Sequence, residues 1–337
     1  MLILTRLWEG FKIDYQYPEL KLESHEIIAP VKLFYETFGQ LNEAKDNAIL
    51  IFHALSGDAH VSGEGGWWSK LVGPGKAFDT DRYFVICANT LGGCSGSTGP
   101  KDLNFPIITI KDMVAAQVPL LDHLGIKELV AVAGGSMGGM MALQLSVDFQ
   151  GLAKNIIAIA TSAKSSAQNI AFNEVGRRAI INDPEEGLAI ARMIGHITYL
   201  SEVSLTNKFG RKIQQGAAAS QKFGDPLFEV ESYLKYKGVG FTKRFDANSY
   251  LYITKAIDLF DITNDLSRGE GRFLVVHFTS DWLFPEYQAL DIVDRLKNSG
   301  KNVSYRVIES NAGHDAFLLE EEKLGGAIKS FLAGAKK

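Results

Sequence analysis

Hydrophobic and polar positions along the chain follow two rhythms. Short apolar runs recur at Ala48–Phe52 (AILIF), Arg82–Ala88 (RYFVICA), Leu129–Ala133 (LVAVA), Asn155–Ala160 (NIIAIA), Arg272–Phe278 (RFLVVHF) and Val303–Ile308 (VSYRVI). Runs of this length, rich in β-branched residues, predict strands, most of them buried on both faces. Between them, apolar residues return at helical spacing. Such stretches are Ile110–Leu124, with Pro119 as an expected kink, the segment carrying Met140, Leu143 and Val147, and Glu286–Asn298. Strands alternating with helices predict an α/β fold, with a mostly parallel sheet covered by helices on both faces. Residues 11–40 read as antiparallel and close with the β-rich run Val31–Phe38.

The rhythm changes from about Lys164 to Asp261, where nothing reads as a buried parallel strand. Helical spacing runs through Asn169–Ile181, Glu185–Leu200 and Ser201–Ile213, punctuated by Asp183-Pro184 and Gly224-Asp225-Pro226. The expected organisation is a core formed by residues 1–163 and 262–337, with residues 164–261 inserted as a helical lid. A chain of 337 residues, 46% of them hydrophobic, can bury such a core and is long for one compact domain. The net charge of −4 offers no basis for a nucleic-acid or anionic-membrane partner. No run of 18 apolar residues is present, so no membrane span is expected. The opening MLILTRLWEGFKIDYQY lacks the apolar core and cleavage site of a secretory leader. The two cysteines, Cys87 and Cys94, match neither a zinc spacing nor a disulfide framework, so no metal site is expected and both thiols are read as reduced. The expected location is the cytoplasm. Cys94, with nothing basic beside it in sequence, is expected to be buried and inert.

Chemistry concentrates in Leu129–Gln150, LVAVAGGSMGGMMALQLSVDFQ. A strand, a tight glycine turn and a helix are the context in which Gly134-Gly135-Ser136-Met137-Gly138 forms a nucleophile elbow. Such a turn projects the serine hydroxyl above the sheet, and Gly134 and Gly138 leave room for strand and helix to approach. The helix start directs free amides and positive dipole at the serine, so the Met137 N–H is placed to hold an oxyanion. Taken alone, the pentapeptide also describes a glycine-rich turn with an incidental serine. A serine hydroxyl needs a base, and the elbow predicts the chain order serine, acid, histidine, each after a strand. Arg272–Phe278 is followed by Thr279-Ser280-Asp281, and Val303–Ile308 by Glu309-Ser310-Asn311-Ala312-Gly313-His314.

Of seven histidines, only His314 lies past a strand and after the candidate acid. His277 sits inside a strand and reads as a packed core residue. His123 falls on a predicted helix, and His196 in the helical insertion has no assigned role. His53 opens the loop after Ala48–Phe52, where it would shape an oxyanion hole rather than act as base. Ser136, Asp281 and His314 together predict a nucleophilic triad. Neither the glycines around Ser136 nor the run Gly92–Gly99 fits a dinucleotide fingerprint or a P-loop.

Several blocks resemble the homoserine O-acetyltransferases of the α/β-hydrolase superfamily. They are His53–Asp58, Gly66-Trp67-Trp68, Val72–Gly75, Asp79–Phe84, Leu91–Pro100, Gly134–Met140, Asp281–Pro285 and Gly313–Leu318. Ala191-Arg192, His196–Ser201 and Phe245–Tyr250 match within the insertion. The resemblance implies an α/β-hydrolase fold and transfer of an acetyl group from acetyl-CoA to L-homoserine, a step toward methionine. It implies Ser136 as nucleophile, Asp281 as orienter and His314 as acid/base, with the amides of Leu55 and Met137 as oxyanion hole. It also implies that Arg192 holds the substrate carboxylate with Tyr199 nearby, and that Asp315 holds the ammonium. No cofactor beyond acetyl-CoA as co-substrate is implied, and a homodimer is expected, as in the relatives. Ser56 and Met141 stand where the family usually has threonine and glutamine, and the stretch between Pro184 and Leu188 is short. Related enzymes succinylate, or use serine, and no residue picks the donor at this level. A long helical lid favours transfer over hydrolysis, because a transferase must exclude water.

Overall fold

The computed structural model describes residues 11–217, 222 and 224–334. The expectation about a secretory leader therefore falls in part on residues outside those described.

Eight strands form the central sheet. They are β1 (Phe11–Tyr17), β2 (Val31–Phe38), β3 (Ala48–Phe52), β4 (Phe84–Ala88), β5 (Ala131–Gly135), β6 (Asn155–Ile159), β7 (Arg272–Phe278) and β8 (Asn302–Ile308). Their order is β1-β2-β4-β3-β5-β6-β7-β8. β2 pairs antiparallel with β1 and β4, and every other neighbouring pair is parallel. All residues of β3, β4, β5 and β6 are buried, which is why these strands read as unbroken apolar runs.

Alternate side chains of the same strands feed two cores. Leu50, Phe52, Val132, Ile156 and Val275 pack with one cluster, and Ile49, Ile51, Ala133, Ile157 and Val276 with the other. The first is covered by α1 (Ile110–Ala115), α2 (Val118–Leu124) and α3 (Met137–Asp148), and by elements described below. Each large apolar side chain fully withdrawn from water stabilises the fold by roughly 2 kcal/mol. The chain therefore commits both faces of the sheet, and the chemistry is left to the loops beyond the strand ends.

Pro119 does more than kink the predicted helix. It stands in the first turn of α2, and α1 has already ended at Ala115. Proline lacks the N–H needed to continue the ladder, so the chain restarts instead of bending. The elbow strand is shifted two residues from the apolar run. Leu129 makes only an isolated bridge to Ala153, whereas Gly134 and Gly135 are paired with Phe52 and Ile159. Apolar side chains mark the run, but the ladder is made by backbone, and glycine is admitted wherever the register holds.

Between β6 and β7 the chain passes through α4 (Ala167–Asn182), α5 (Pro184–Tyr199), α6 (Glu202–Lys208), α7 (Glu229–Thr242) and α8 (Ala247–Leu259). A bridge between Lys164 and Asp261 joins the two ends of this helical segment. Local sequence sets its breaks. Ser166 caps α4, Asp183 accepts the Glu185 and Glu186 amides ahead of α5, and Asp246 caps α8. α6 is shorter than the helical spacing of Ser201–Ile213 suggests, ending at Lys208 before Gly210. α9 (Glu286–Asn298) falls where it was predicted. It adds Ile292 and Leu296 to the first core. The short α10 (Ala316–Leu319) and α11 (Glu321–Ala333) close the second core with Leu324, Ile328 and Phe331. Among the described residues, no helix is long and apolar enough to cross a membrane.

Candidate active site

Ser136 occupies the turn between β5 and α3 with φ 58° and ψ −123°, a left-handed conformation that disfavours a side chain. Packing holds it there. A Cβ on Gly134 would lie 2.3 Å from the carbonyl of Gly138, and a Cβ on Gly138 would lie 2.2 Å from the Phe52 oxygen. The Ser136 N–H donates to the Ile159 carbonyl at 2.9 Å, and its own carbonyl accepts from Thr161 Oγ1 at 2.8 Å. Backbone strain at the serine is thus offset by close contact on three sides.

His314 follows β8, and Asp281 follows β7. His314 Nδ1 lies 2.8 Å from Asp281 Oδ2, with the two side chains 3% and 0% exposed. Asp281 Oδ1 accepts the amides of Leu283 at 3.1 Å and Phe284 at 2.9 Å. A carboxylate so bonded only accepts, so Nδ1 carries the proton and Nε2 presents a lone pair. Nε2 is buried and has no hydrogen-bond partner among the described residues. His314 and Ser136 line one cavity of about 320 Å³. The imidazole is walled by Phe284, Phe317 and Tyr199, with ring centroids at 5.0, 5.3 and 5.9 Å.

The histidine turn rests on the end of α5. Gly313 has φ 72°, and a Cβ there would stand 2.5 Å from the Ser201 nitrogen and 2.6 Å from the Tyr199 oxygen. The Asn311 carbonyl accepts from Ser204 Oγ at 2.7 Å and also from Ser201 Oγ. Trp282 Nε1 donates to the Leu200 carbonyl at 3.0 Å.

Met137 is the first residue of α3, so its N–H has no acceptor within the helix. The Leu55 amide belongs to the loop after β3. Its peptide is fixed from the carbonyl side, because Ala54 O lies 2.8 Å from His53 Nδ1 and accepts the Gly57 N–H at 2.9 Å. His53 Nε2 accepts the Thr90 amide at 3.0 Å, so the proton sits on Nδ1. Burial pushes the His53 pKa down, which keeps the ring neutral. A planar peptide with its carbonyl anchored turns its N–H the opposite way. His53 thus braces the loop that carries the Leu55 amide.

Arg192 and Tyr199 project from α5 into the same cavity, together with Asp315 from the histidine turn. Arg192 Nη1 donates to Ser56 Oγ at 3.2 Å, and its guanidinium lies 5.6 Å from the Tyr199 ring centroid. Burial pushes the Asp315 carboxyl up from its usual range, opposed by His314, Arg192 and Lys237. Burial likewise raises the Tyr199 hydroxyl.

Two cations escape the sequence reading. Lys237 from α7 and Arg244 just after it line the cavity, and Arg244 Nη1 donates to the Ser56 carbonyl at 3.0 Å. Phe241 lies between the arginines, with Arg192 at 4.7 Å and Arg244 at 5.0 Å from its centroid. Nothing local marks these residues, since a basic residue on a helical segment is ordinarily a solvated charge. His196 is a further wall residue, 5% exposed, with Nδ1 3.1 Å from the Tyr233 hydroxyl. Cys94 departs from expectation. It is exposed, with Sγ 3.9 Å from the main-chain carbonyl of Arg244, so its loop leaves the thiol at the surface. Cys87 is the buried thiol, and His277 is packed within β7. No cluster of His, Cys, Asp and Glu suited to a metal occurs among the described residues.

A serine on a strained strand-to-helix turn, with aspartate and histidine on the loops after β7 and β8 of the same sheet, defines the α/β-hydrolase class of serine-dependent acyl enzymes. A family described as alpha/beta hydrolase fold matches residues 47–321. The homoserine O-acetyltransferase of Methanohalobium evestigatum is 53% identical over 95% of this chain and 72% of its own. The chain belongs to the homoserine O-acetyltransferase family. The crystal structure of homoserine O-acetyltransferase from Bacillus anthracis superposes with TM-score 0.90 at 28% identity, covering 96% of this chain and 97% of its own. The crystal structure of esterase E22 superposes with TM-score 0.89 at 27% identity, covering 96% and 100%.

Proposed function

We propose that the protein transfers an acetyl group from acetyl-CoA to the side-chain hydroxyl of L-homoserine, through an acetyl-serine and a ping-pong sequence. The observation that carries this reading is the lining of the 320 Å³ cavity. Ser136 and His314 share it with Arg192 and Asp315, opposite charges suited to the carboxylate and ammonium of an amino acid. The family membership supports the same pair of substrates.

In this reading His314 Nε2 takes the Ser136 proton as Oγ attacks the thioester carbonyl. The Leu55 and Met137 amides hold the oxyanion, and the thiol leaves with the proton from His314. The homoserine hydroxyl then gives its proton to His314 and attacks the acetyl carbon, which returns Ser136. Arg192 holds the acceptor carboxylate beside the Tyr199 ring, and Asp315 its ammonium. The chemistry needs side chains and backbone amides, with acetyl-CoA as co-substrate. The helical segment 164–261 acts as a lid over this reaction, and the product feeds methionine synthesis in the cytoplasm. Ile190 and Ile197 of α5 and Tyr236 and Val239 of α7 are exposed apolar residues suited to a homodimer contact.

The test is a matrix of acetyl-CoA and succinyl-CoA against homoserine, serine and water. Thiol release that requires homoserine, with O-acetylhomoserine formed in equal amount, is the expected outcome. Thiol release equally fast in water alone selects the second reading, an esterase or thioesterase, which the likeness to esterase E22 supports.

A further inference from the structure

Ser136 stands in the wall between two cavities. Besides the large one, a second of about 50 Å³ opens on it from the α4 side. Ser136, Leu55 and Tyr199 line both cavities, and His314 lines only the larger. This partition assigns directions around the reacting carbon. The tetrahedral centre carries Oγ, the oxyanion, the group that leaves or attacks, and the acyl substituent. The oxyanion faces the Leu55 and Met137 amides. The leaving thiol and the attacking hydroxyl both exchange a proton with His314, so they occupy the larger cavity. One direction remains, into the smaller one.

We propose that this smaller cavity is the acyl pocket, that it admits short uncharged acyl chains, and that Phe172, Ile194 and Leu283 set its depth. The inference rests on the acyl-serine reading above and adds where the acyl chain sits and how long it can be. A water-sized group takes roughly 10–15 Å³ of such space, so the cavity holds about four. The one-carbon substituent of an acetyl group and the three-carbon chain of a butyryl group fit, whereas the five-carbon chain of a hexanoyl group does not. Charge decides against succinyl. Arg192, Lys237 and Arg244 line the larger cavity, and no cation among the described residues lines the smaller. Its wall mixes apolar side chains with neutral polar ones such as Asn169, Thr198 and Tyr250; Phe172 is held edge-on against Trp282 at 5.7 Å, and Asn173 is already bonded to Asp258 at 2.7 Å. A carboxylate pushed into it would give up its water and meet no cation in the lining to balance its charge.

p-Nitrophenyl acetate, butyrate and hexanoate report on this pocket with neither coenzyme A nor homoserine present. For the unaltered protein, kcat/KM is expected to fall about 100-fold between butyrate and hexanoate. Phe172→Ala should shrink that ratio about tenfold through a gain on hexanoate, and Ile194→Ala provides the same readout at a second position. Hexanoate cleaved as well as butyrate by the unaltered chain, or a ratio unmoved in both folded variants, overturns the assignment. Thiol release from succinyl-CoA should run below about one hundredth of that from acetyl-CoA, and equal rates also overturn it. The expected chain-length profile without any O-acetylhomoserine formation supports the pocket and removes the transferase reading alone.

Discussion

Arg192 donates a hydrogen bond to Ser56 Oγ at 3.2 Å, so the arginine assigned to the acceptor also touches the loop that carries the Leu55 amide. Removal of the guanidinium by Arg192→Ala should raise the KM for homoserine about 10- to 100-fold, the range for a charge-assisted hydrogen bond of ~1.5–3 kcal/mol. The acetyl-CoA half-reaction, read as a burst of thiol in stopped flow, should change by less than about threefold. Ser56→Ala isolates the tie to the loop and should leave the homoserine KM within about threefold. Equal damage to both half-reactions in Arg192→Ala would place the residue outside the acceptor site.

Asp281 holds the His314 tautomer and is itself held by two amides. Asp281→Asn should fold normally and lose about 10⁴-fold in kcat, because an amide that donates to Nδ1 turns the proton onto Nε2. Circular dichroism and steady-state kinetics on the same preparation check both halves. Activity near that of the unaltered protein would require another acid.

Gly138 has no room for a methyl group, since the obstruction is the Phe52 main-chain oxygen at 2.2 Å. Gly138→Ala must move β3 or α3, and a loss of about 3 kcal/mol in urea unfolding is expected. Gly240, where an added methyl group would meet no described atom within 4 Å, provides the control. Its replacement by Ala, inside α7, should be stabilising by about 0.5–1 kcal/mol.

The His196 imidazole is pushed down to about 3, first by burial and then by the positive charges of Arg192, Lys237, Lys208 and Arg244. In the unfolded chain it titrates near ~6.5. Between those values the unfolded state binds a proton that the native state refuses, so stability falls as pH falls through that window. A single such group gives a slope approaching ~1.4 kcal/mol per pH unit. Between pH 7 and pH 5 the unaltered protein should therefore lose about 1–2 kcal/mol more than His196→Gln. Parallel urea titrations at the two pH values measure this, and identical losses would show that the native imidazole titrates normally.

The parts of the site closest to the sheet are legible in sequence. Ser136, Asp281 and His314 each follow an apolar run, and the order of runs fixes their common side. His53 is legible for the same reason. Lys237 and Arg244 are not, because they sit on or just after a helix whose placement over the sheet depends on tertiary packing against α5. Cys94 shows the limit of reading neighbours along the chain, since the main-chain oxygen beside it belongs to Arg244, some 150 residues away. The two-residue offset of β5 has a related origin, for glycine carries no hydrophobic signal although its backbone pairs as well as any.

The contacts of Gly313, Asn311 and Trp282 with the junction of α5 and α6 have a consequence for redesign. Trimming away the inserted helices to reach a minimal open hydrolase would also strip the shelf beneath His314. Exchanges of acceptor preference between relatives should accordingly move the α5 terminus and the histidine turn together, as one inherited block.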